Sequence, residues 1–289
     1  MKPIKFITTF SSIGYNLYGK TWIDTFTKNV KDNHVSADIY VDVPIVINNP
    51  KIKTIDYNTA IPNHKSWCRQ FDSQYSNGHG VYAKKMGVRF SYKSFVMMHA
   101  LQNNKDCYVI WLDGDCIFKE NQDFSAFPEL LLNGKAIASQ REHNGGNDHM
   151  ESGVVVFDVD HIDCKKFLDK FKENYKIENI IRMSSPFDGF IICKSIDQTR
   201  IPYINLNDGY GRGGIQSDPN ETFLHPEINK RFHHNIGITG KQQYSSWSTI
   251  SKQDQYFRLI QNSAPRKTPE EIKAIRQKLV RTRNALRVK

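Results

Sequence analysis

One short stretch near the middle of the chain, residues 108–118, constrains the fold more than any other. A run of apolar, β-prone residues at 108–112 leads directly into Asp113 and Asp115, and apolar residues resume at Ile117. Such a run is typical of a strand that is buried on both faces, as in the middle of a mostly parallel sheet. The carboxylates then lie at the C-terminal end of this strand, which is where open α/β sheets place their ligands.

A single glycine separates the two carboxylates of this stretch. Such a pair suits a hard divalent cation, Mg²⁺ or Mn²⁺, which takes oxygen ligands and keeps positions open for a nucleotide diphosphate. An isolated Asp-Gly-Asp is more often a polar strand end followed by a turn. The buried strand before it and the return of apolar residues after it favour the metal site over that simpler interpretation.

Length and composition allow one large domain or two small ones. The chain has 289 residues, of which 39% are hydrophobic, and this supports a sizeable core. It contains no apolar run of about 18 residues, so no transmembrane helix is expected. Residues 1–10 lack a long apolar core and a small-residue cleavage site, and they resemble a first strand more than a signal peptide.

The cysteines indicate a reducing compartment. They are scattered, odd in number and without a Cys-x-x-Cys pair. We therefore expect reduced, buried thiols in a cytoplasmic protein, and the pattern indicates no zinc site. The five residues are Cys68, Cys107, Cys116, Cys164 and Cys193.

The charge balance favours polyanionic partners. A formal charge of +10 and a sequence pI near 9.2 suit nucleotide diphosphates, nucleic acid or an anionic surface. The excess is uneven, because residues 268–289 hold seven basic side chains against two acidic ones. That net charge of +5 is half of the total.

A basic amphipathic helix is predicted at residues 266–289, after a domain that spans residues 1–265. Thr268 can cap this helix, Pro269 suits its first position and Glu271 completes a capping box. The helix either docks on the domain and exposes a solvated face, or it offers a basic patch. Such a patch would meet nucleic-acid phosphates or make peripheral contact with an anionic membrane.

The rest of the chain alternates strands and helices, as α/β domains do. The loop at 11–19 contains glycine but lacks the Gly-x-Gly-x-x-Gly dinucleotide fingerprint. A helix at 82–101 has an apolar stripe, with Arg89 and Lys93 on another face. The other predicted elements are strands at 5–10, 37–43, 52–57, 135–140 and 151–158, helices at 22–30 and 160–175, a short helix or turn at 124–132, an insertion or loop at 58–80, and a polar loop at 142–150.

This order of motifs resembles the GT-A class of nucleotide-sugar glycosyltransferases. Residues 113–115 are similar to the Asp-X-Asp motif of that class, and residues 151–158 to the Asn-Ser-Gly strand beside the metal strand, although Glu151 stands in the place of Asn. The resemblance covers most of residues 1–247. It implies a Rossmann-like α/β fold with a mixed, mostly parallel central sheet flanked by helices. It also implies a UDP- or GDP-linked sugar donor and a Mn²⁺ or Mg²⁺ ion.

The resemblance also implies roles for individual residues. The first loop of the class holds the nucleoside, so Tyr15 and Tyr18 either stack on the base or pack locally. A basic residue on the helix before the metal strand meets the donor, and Arg89 and Lys93 fit that role by position, with a solvated basic face as the alternative. Asp188 resembles an acid that is the base of inverting members and a sugar-hydroxyl partner in others; alternatively, it caps a turn before an apolar run.

A late histidine is the second indication of a metal. In several GT-A families such a residue completes the metal shell, and family 8 glycosyltransferases carry His-x-x-Gly-x-x-Lys-Pro-Trp. Here His234 begins a His-x-x-Gly, Lys241 follows with one extra residue, and Trp247 lacks the preceding Pro, so the resemblance is to the class and not to family 8. His234 is the predicted third ligand, with His233 as the competing candidate. Lys241 is predicted to neutralise the leaving diphosphate.

These observations predict an enzyme, a metal-dependent glycosyltransferase that moves a hexosyl or pentosyl group to an acceptor hydroxyl. Asp113, Asp115 and His234 would hold the ion, with Asp113 also facing the donor. The acceptor is a glycan or a small molecule or, given the basic charge, a modified base in DNA. A nucleotidyltransferase and a non-catalytic basic α/β module that binds nucleic acid are the alternatives. Retention and inversion at the sugar both remain open.

Overall fold

The computed structural model describes most of the predicted domain and none of the predicted tail. No helix among these residues is long and apolar enough to cross a membrane. Lys241, the predicted helix at 266–289 and the boundary before it lie outside the described residues. The described residues are 1–75, 80–120, 122–144, 147–208, 223 and 225–234.

The fold is built around a mixed β-sheet. Its strands and those of a smaller sheet are β1 (Ile4–Phe10), β2 (Val35–Val41), β3 (Ile52–Asp56), β4 (Tyr108–Leu112), β5 (Cys116–Phe118), β6 (Ile137–Asn144), β7 (Asn147–Asp158), β8 (Ile204–Asn205) and β9 (Phe232–His234). Within the described residues the seven-stranded central sheet has the order β3-β2-β1-β4-β7-β6-β8, and β5 pairs with β9.

Most neighbouring strands of the central sheet are parallel. β1 runs parallel to both β2 and β4, and the pairs β2–β3 and β6–β8 are parallel as well. Only β7, among the described strands of this sheet, opposes its neighbours β4 and β6. The prediction of a mixed, mostly parallel α/β sheet is therefore confirmed.

Helices pack on the sheet. They are α1 (Ser12–Gly14), a π-helical turn (Tyr15–Gly19), α2 (Lys20–Asn29), α3 (Tyr57–Ala60), α4 (His64–Gln74), α5 (Gly80–Asn103), α6 (Phe127–Leu132), α7 (Ile162–Asn174), α8 (Ile177–Ile180), α9 (Asp188–Thr199) and α10 (Pro226–Arg231). The predicted helices before β4 and after β7 are confirmed as α5 and α7.

The strand that carries the aspartates lies at the centre of the sheet and is buried on both faces. Val109 and Trp111 pack into one hydrophobic cluster, with residues of α5, α7 and α9. Ile110 and Leu112 point the other way, into a second cluster with residues of α2 and α6. This alternation explains why the sequence of β4 is continuously apolar, since each fully buried large side chain contributes about 1.5–3 kcal/mol.

Three predicted loops are wrong. The predicted loop at 11–19 contains α1 and the π-helical turn. Residues 58–80 contain α4, because Trp67 and Phe71 are four apart and stack on one helical face with ring centroids 5.0 Å apart. Residues 142–144 end β6 and residues 147–150 begin β7, and Asn144 pairs with Asn147 across these antiparallel strands. Two glycines separate that pair, which is a connection typical of tight hairpins.

The cysteines agree with the expectation of reduced thiols. All five are free of disulfides, and four of them are buried; Cys68 is partly exposed. Cys116, the cysteine of β5, directly follows the predicted metal ligand Asp115 in the chain.

Candidate active site

The two aspartates stand in a tight turn at the C-terminal end of β4. The backbone N–H of Asp113 donates to the carbonyl of Gly153 at 2.9 Å, and the N–H of Cys116 donates to the carbonyl of Asp113 at 3.0 Å. Gly114 lies on the ring of Phe10, and a Cβ there would come within 2.6 Å of that ring. The glycine therefore lets the turn that carries both carboxylates pack directly against β1.

The pairing of β9 with β5 places His234 beside these aspartates. Its cross-strand partner in this small sheet is Cys116, which directly follows Asp115. The Nε2 of His234 lies 3.2 Å from Asp115 Oδ1 and 4.0 Å from Asp113 Oδ2. Burial alone lowers the pKa of His234, but the charges of the two aspartates outweigh it and raise the pKa above the ordinary value. The ring of Phe223 stacks on the imidazole, with centroids 5.2 Å apart.

These three side chains fit a divalent cation. Two carboxylates and an imidazole nitrogen provide the oxygen and nitrogen donors that Mn²⁺ binds. His234 directs Nε2 towards both carboxylates, while its buried Nδ1 has no hydrogen-bond partner among the described residues. A histidine that bound a metal through Nε2 would carry its proton on Nδ1, where ligating histidines usually donate to a further group.

A buried lysine of α5 connects the aspartate turn to the strand beside it. Lys93 Nζ donates to Asp113 Oδ1 at 2.7 Å and to Ser152 Oγ at 2.9 Å, and also to the Ser152 carbonyl. It lies 3.3 Å from Asp188 Oδ2. Burial alone lowers the pKa of Lys93, but Asp113 and Asp188 outweigh it and raise the pKa, so the ammonium stays charged.

Asp188 is the first residue of α9, so the prediction of a turn there is corrected to a helix start. The apolar run that follows it forms the buried side of that helix. Ser152 Oγ donates to Asp188 Oδ2 at 2.6 Å, and the side chain is almost fully buried. An acid in the first turn of a helix is favoured by the helix dipole.

A glycine permits α9 to begin so close to β7. A Cβ on Gly189 would lie 2.1 Å from the carbonyl oxygen of Met150, which is backbone and cannot move aside. The contact fixes the first turn of α9 against β7, and it thereby sets Asp188 beside Ser152. Asp113, Lys93, Ser152 and Asp188 thus form one continuous set of polar contacts that joins α5, β7, α9 and the turn after β4.

Glu151 is a further acid at the site. Its Oε1 accepts the backbone N–H of Gly153 at 3.1 Å. Burial raises the pKa of Glu151 above its ordinary value, while His234 and Lys93 act in the opposite direction. A Cβ on Gly153 would lie 3.2–3.3 Å from atoms of Glu151, Phe223 and His234, so these side chains converge on the glycine.

A cleft of about 410 Å³ opens at the C-terminal ends of β1 and β2. Phe10 and Tyr18 line it, and both rings also lie against Gly114, so the cleft adjoins the aspartate turn. Arg89 is in its wall, whereas Tyr15 is not among the lining residues and lies beside Lys20, 5.6 Å from ring centroid to Nζ. The lining residues are Thr9, Phe10, Ser11, Tyr18, Asp42, Tyr57, Lys85, Val88, Arg89 and Tyr92.

Several residues of the site carry no clear signal in the sequence. Ser152 was visible only as part of a Ser-Gly pair, and its role depends on the approach of α5 and α9. Asp42 and Lys85 line the cleft but stand in no motif. Among the predicted site residues, the described structure brings together Asp113, Asp115, His234, Lys93 and Asp188, and it places Arg89 in the adjacent cleft.

No family model and no curated protein matches the chain. Its fold is similar to the galactosyltransferase LgtC in complex with donor and acceptor sugar analogs, at 10% identity over 92% of this chain and 98% of that one, with a TM-score of 0.48. It is also similar to the glycosyltransferase GlyE of Streptococcus pneumoniae, at 14% identity over 88% of this chain and 63% of that one, with a TM-score of 0.46. A third similar structure is mouse xyloside xylosyltransferase 1, at 11% identity over 70% of this chain and 78% of that one, with a TM-score of 0.40. These proteins are glycosyltransferases, the class that the motif order resembles, but scores below 0.5 assign no activity to this chain.

Proposed function

We propose that this protein is a metal-dependent glycosyltransferase that moves a sugar from a nucleoside diphosphate to an acceptor hydroxyl. The observation that carries the proposal is the convergence of Asp113, Asp115 and His234 at the end of β4, beside a cleft. A nucleoside diphosphate needs a pocket for the nucleoside and compensation for the charge of the phosphates. This arrangement offers both at one edge of the sheet.

The ion would be Mn²⁺ or Mg²⁺, held by Asp113, Asp115 and His234. When bound, it supplies positive charge that stabilises the diphosphate as a leaving group. Lys93 holds Asp113 through Oδ1, so the orientation of this carboxylate is set before any ligand arrives. Trp111 Nε1 donates to the same oxygen at 2.7 Å and supports that orientation.

The nucleotide, UDP or GDP, would lie in the cleft next to the aspartate turn. Tyr18 and Tyr92 offer aromatic rings to the base, and Lys85 and Arg89 offer positive charge to the phosphates. The side chain of Asp42 accepts the backbone N–H of Ser12 at 2.7 Å, which fixes the start of α1 next to the cleft. This assignment favours Tyr18 over Tyr15 as the stacking residue.

Asp188 would accept a hydrogen bond from a sugar hydroxyl. Its Oδ2 is already paired with Lys93 and Ser152. Protonation of this carboxylate would weaken both contacts, which favours a binding role over that of a general base. The acceptor is the hydroxyl of a glycan or a small molecule. The expectation of a modified base in DNA follows from the basic charge of the chain, half of which belongs to residues 268–289, outside the described residues.

Thermal unfolding with nucleotides tests the proposal directly. UDP and GDP, each with and without Mn²⁺, are added to the native chain, to Asp115→Asn and to Asp169→Asn. Asp169 is an exposed acid of α7 and serves as the matched control. A Mn²⁺-dependent rise of the melting temperature in the native chain and the control, but not in Asp115→Asn, is expected. The proposal fails if no nucleotide stabilises the chain, or if Asp115→Asn responds like the control.

A further inference from the structure

A thiol lies within reach of the predicted metal ligands. One oxygen of Asp115, the Sγ of Cys116 and one ring nitrogen of His234 all lie within 4.8 Å of one another. Cys116 and His234 are direct cross-strand partners in the antiparallel pair of β5 and β9. Direct partners place their side chains on the same face, so the sulfur and the imidazole are neighbours by the register of the strands.

Sulfur changes the class of ion that such a centre prefers. Mg²⁺ and Mn²⁺ favour oxygen ligands, whereas Zn²⁺ and Co²⁺ combine thiolate, imidazole and carboxylate. Bonds of about 2.0–2.3 Å to one tetrahedral zinc ion hold its ligand atoms roughly 3.3–3.8 Å apart. The three atoms in this chain lie within 4.8 Å of one another, so they would meet one tetrahedral ion after an approach of about 1.5 Å at most.

The other aspartate is less available to a softer ion. Both Lys93 and Trp111 donate to Asp113 Oδ1, each at 2.7 Å. Asp115 instead faces His234, at 3.2 Å. The donor set that includes sulfur is therefore Asp115, Cys116 and His234, while Asp113 Oδ1 stays engaged by Lys93 and Trp111.

We infer that Asp115, Cys116 and His234 form a binding site for a thiophilic divalent cation of the Zn²⁺ and Co²⁺ type. The inference rests on the metal site of the proposed function and names a second class of ion for it. On binding, the S–H bond of Cys116 breaks, a sulfur–metal bond forms and the proton leaves to solvent. Such an ion competes with Mn²⁺, because both use Asp115 and His234.

Cobalt absorption tests this inference in the absence of nucleotide. Metal-free protein is titrated with Co²⁺, and thiolate-to-cobalt charge transfer is followed in the near ultraviolet. The native chain should develop a band that saturates at one ion per chain, and excess Mn²⁺ should reduce it. Cys116→Ser should lack the band and bind Co²⁺ at least about tenfold more weakly, since even outer partners of a metal contribute tenfold to hundredfold.

Cys68 provides the matched control, because it is the partly exposed cysteine and belongs to α4. Cys68→Ser should keep the band. The inference is overturned if native protein binds no Co²⁺, if it binds Co²⁺ without the band, or if Cys116→Ser retains the band.

A measurement on the native chain covers the case in which Cys116→Ser does not fold. The ¹¹³Cd NMR shift of the Cd²⁺-loaded protein separates a sulfur ligand from oxygen and nitrogen ligands alone. A shift typical of one thiolate supports the inference, and a shift typical of oxygen and nitrogen alone contradicts it. Neither measurement involves a nucleotide, so failure of the proposed glycosyl transfer would be seen separately, as the absence of Mn²⁺-dependent stabilisation by UDP or GDP.

Discussion

The ammonium of Lys93 lies 3.3 Å from the carboxylate of Asp188 and 2.7 Å from that of Asp113, so a single buried cation joins the two acidic parts of the site. Asp113 belongs to the aspartate turn, and Asp188 belongs to the first turn of α9. Their shared counter-ion means that a change at Lys93 affects the metal side and the proposed sugar side together. Deleting one member of a buried ion pair leaves the other charge uncompensated.

Lys93→Met is therefore expected to destabilise the fold by about 3 kcal/mol, because it leaves Asp113 and Asp188 next to each other without the ammonium. The free energy of unfolding, from urea titration, measures the change. Lys170→Met is the control, since Lys170 pairs with Glu173 near the surface of α7 and should change stability by less than about 1 kcal/mol.

A double substitution distinguishes loss of the ion pair from loss of packing. Lys93→Met with Asp188→Asn removes one of the two acidic charges that the first substitution leaves without a counter-ion, so part of the lost stability should return. Strict additivity of the two single effects would show that Lys93 and Asp188 do not interact in the folded protein.

Gly189→Ala is expected to destabilise the protein by about 3 kcal/mol or more, because its Cβ would overlap the Met150 carbonyl at 2.1 Å. The backbone of β7 cannot move aside, so the start of α9 must shift. Gly134→Ala offers a contrast, because Gly134 has a φ of +73° but open space around it. That substitution should destabilise by only about 1 kcal/mol. Equal losses in the two variants would contradict the close approach of α9 and β7.

His64 should make stability depend on pH. Burial lowers the pKa of His64 from 6.5 to about 4, so the unfolded chain binds more protons between these two values. The stability contribution is complete above pH 6.5 and falls as the pH drops towards 4, by up to about 3 kcal/mol. Two hydrogen bonds favour the neutral imidazole of His64. The hydroxyl of Ser91 donates to the Val88 carbonyl, so it accepts from Nε2–H of His64. Nδ1 is then unprotonated and accepts from the hydroxyl of Tyr57.

Urea titrations at several pH values between 4 and 7.5 measure this dependence. His64→Gln removes the titrating group and should give a shallower slope than the native chain over the same range. Parallel slopes in the two proteins would show that His64 is not held in its neutral form.

The sequence predicted the centre of the fold because its information there is local. A continuous apolar run followed by two carboxylates predicts a buried strand with an acidic C-terminal end, and residues 108–115 have that structure. Short or polar segments were harder. The run after Asp188 is too short for periodicity to separate a strand from a helix, and the polar residues of α4 concealed the Trp67 and Phe71 face.

The site was predicted in part, and the missing part depends on contacts between distant segments. Lys93 was selected for its position before the metal strand, but nothing in the sequence shows that Asp113, Ser152 and Asp188 surround it. Nothing in the sequence distinguishes Gly189 from other glycines, because its role depends on the close approach of the Met150 carbonyl in the fold. The choice between Tyr15 and Tyr18 depends on the π-helical turn that contains both, because this turn determines which ring faces the cleft. The sequence does not predict such a turn.

That choice gives a direct test of the donor cleft. Tyr18 lines the cleft and touches Gly114, whereas Tyr15 lies beside Lys20. Tyr18→Leu should weaken Mn²⁺-dependent UDP or GDP binding by about tenfold, as expected for the loss of one base–aromatic stack of roughly 1–3 kcal/mol. Calorimetric titration measures both variants, and the effect of Tyr15→Leu should be clearly smaller. The reverse order would place the base against Tyr15, and the nucleotide would then lie outside the cleft described for β1 and β2.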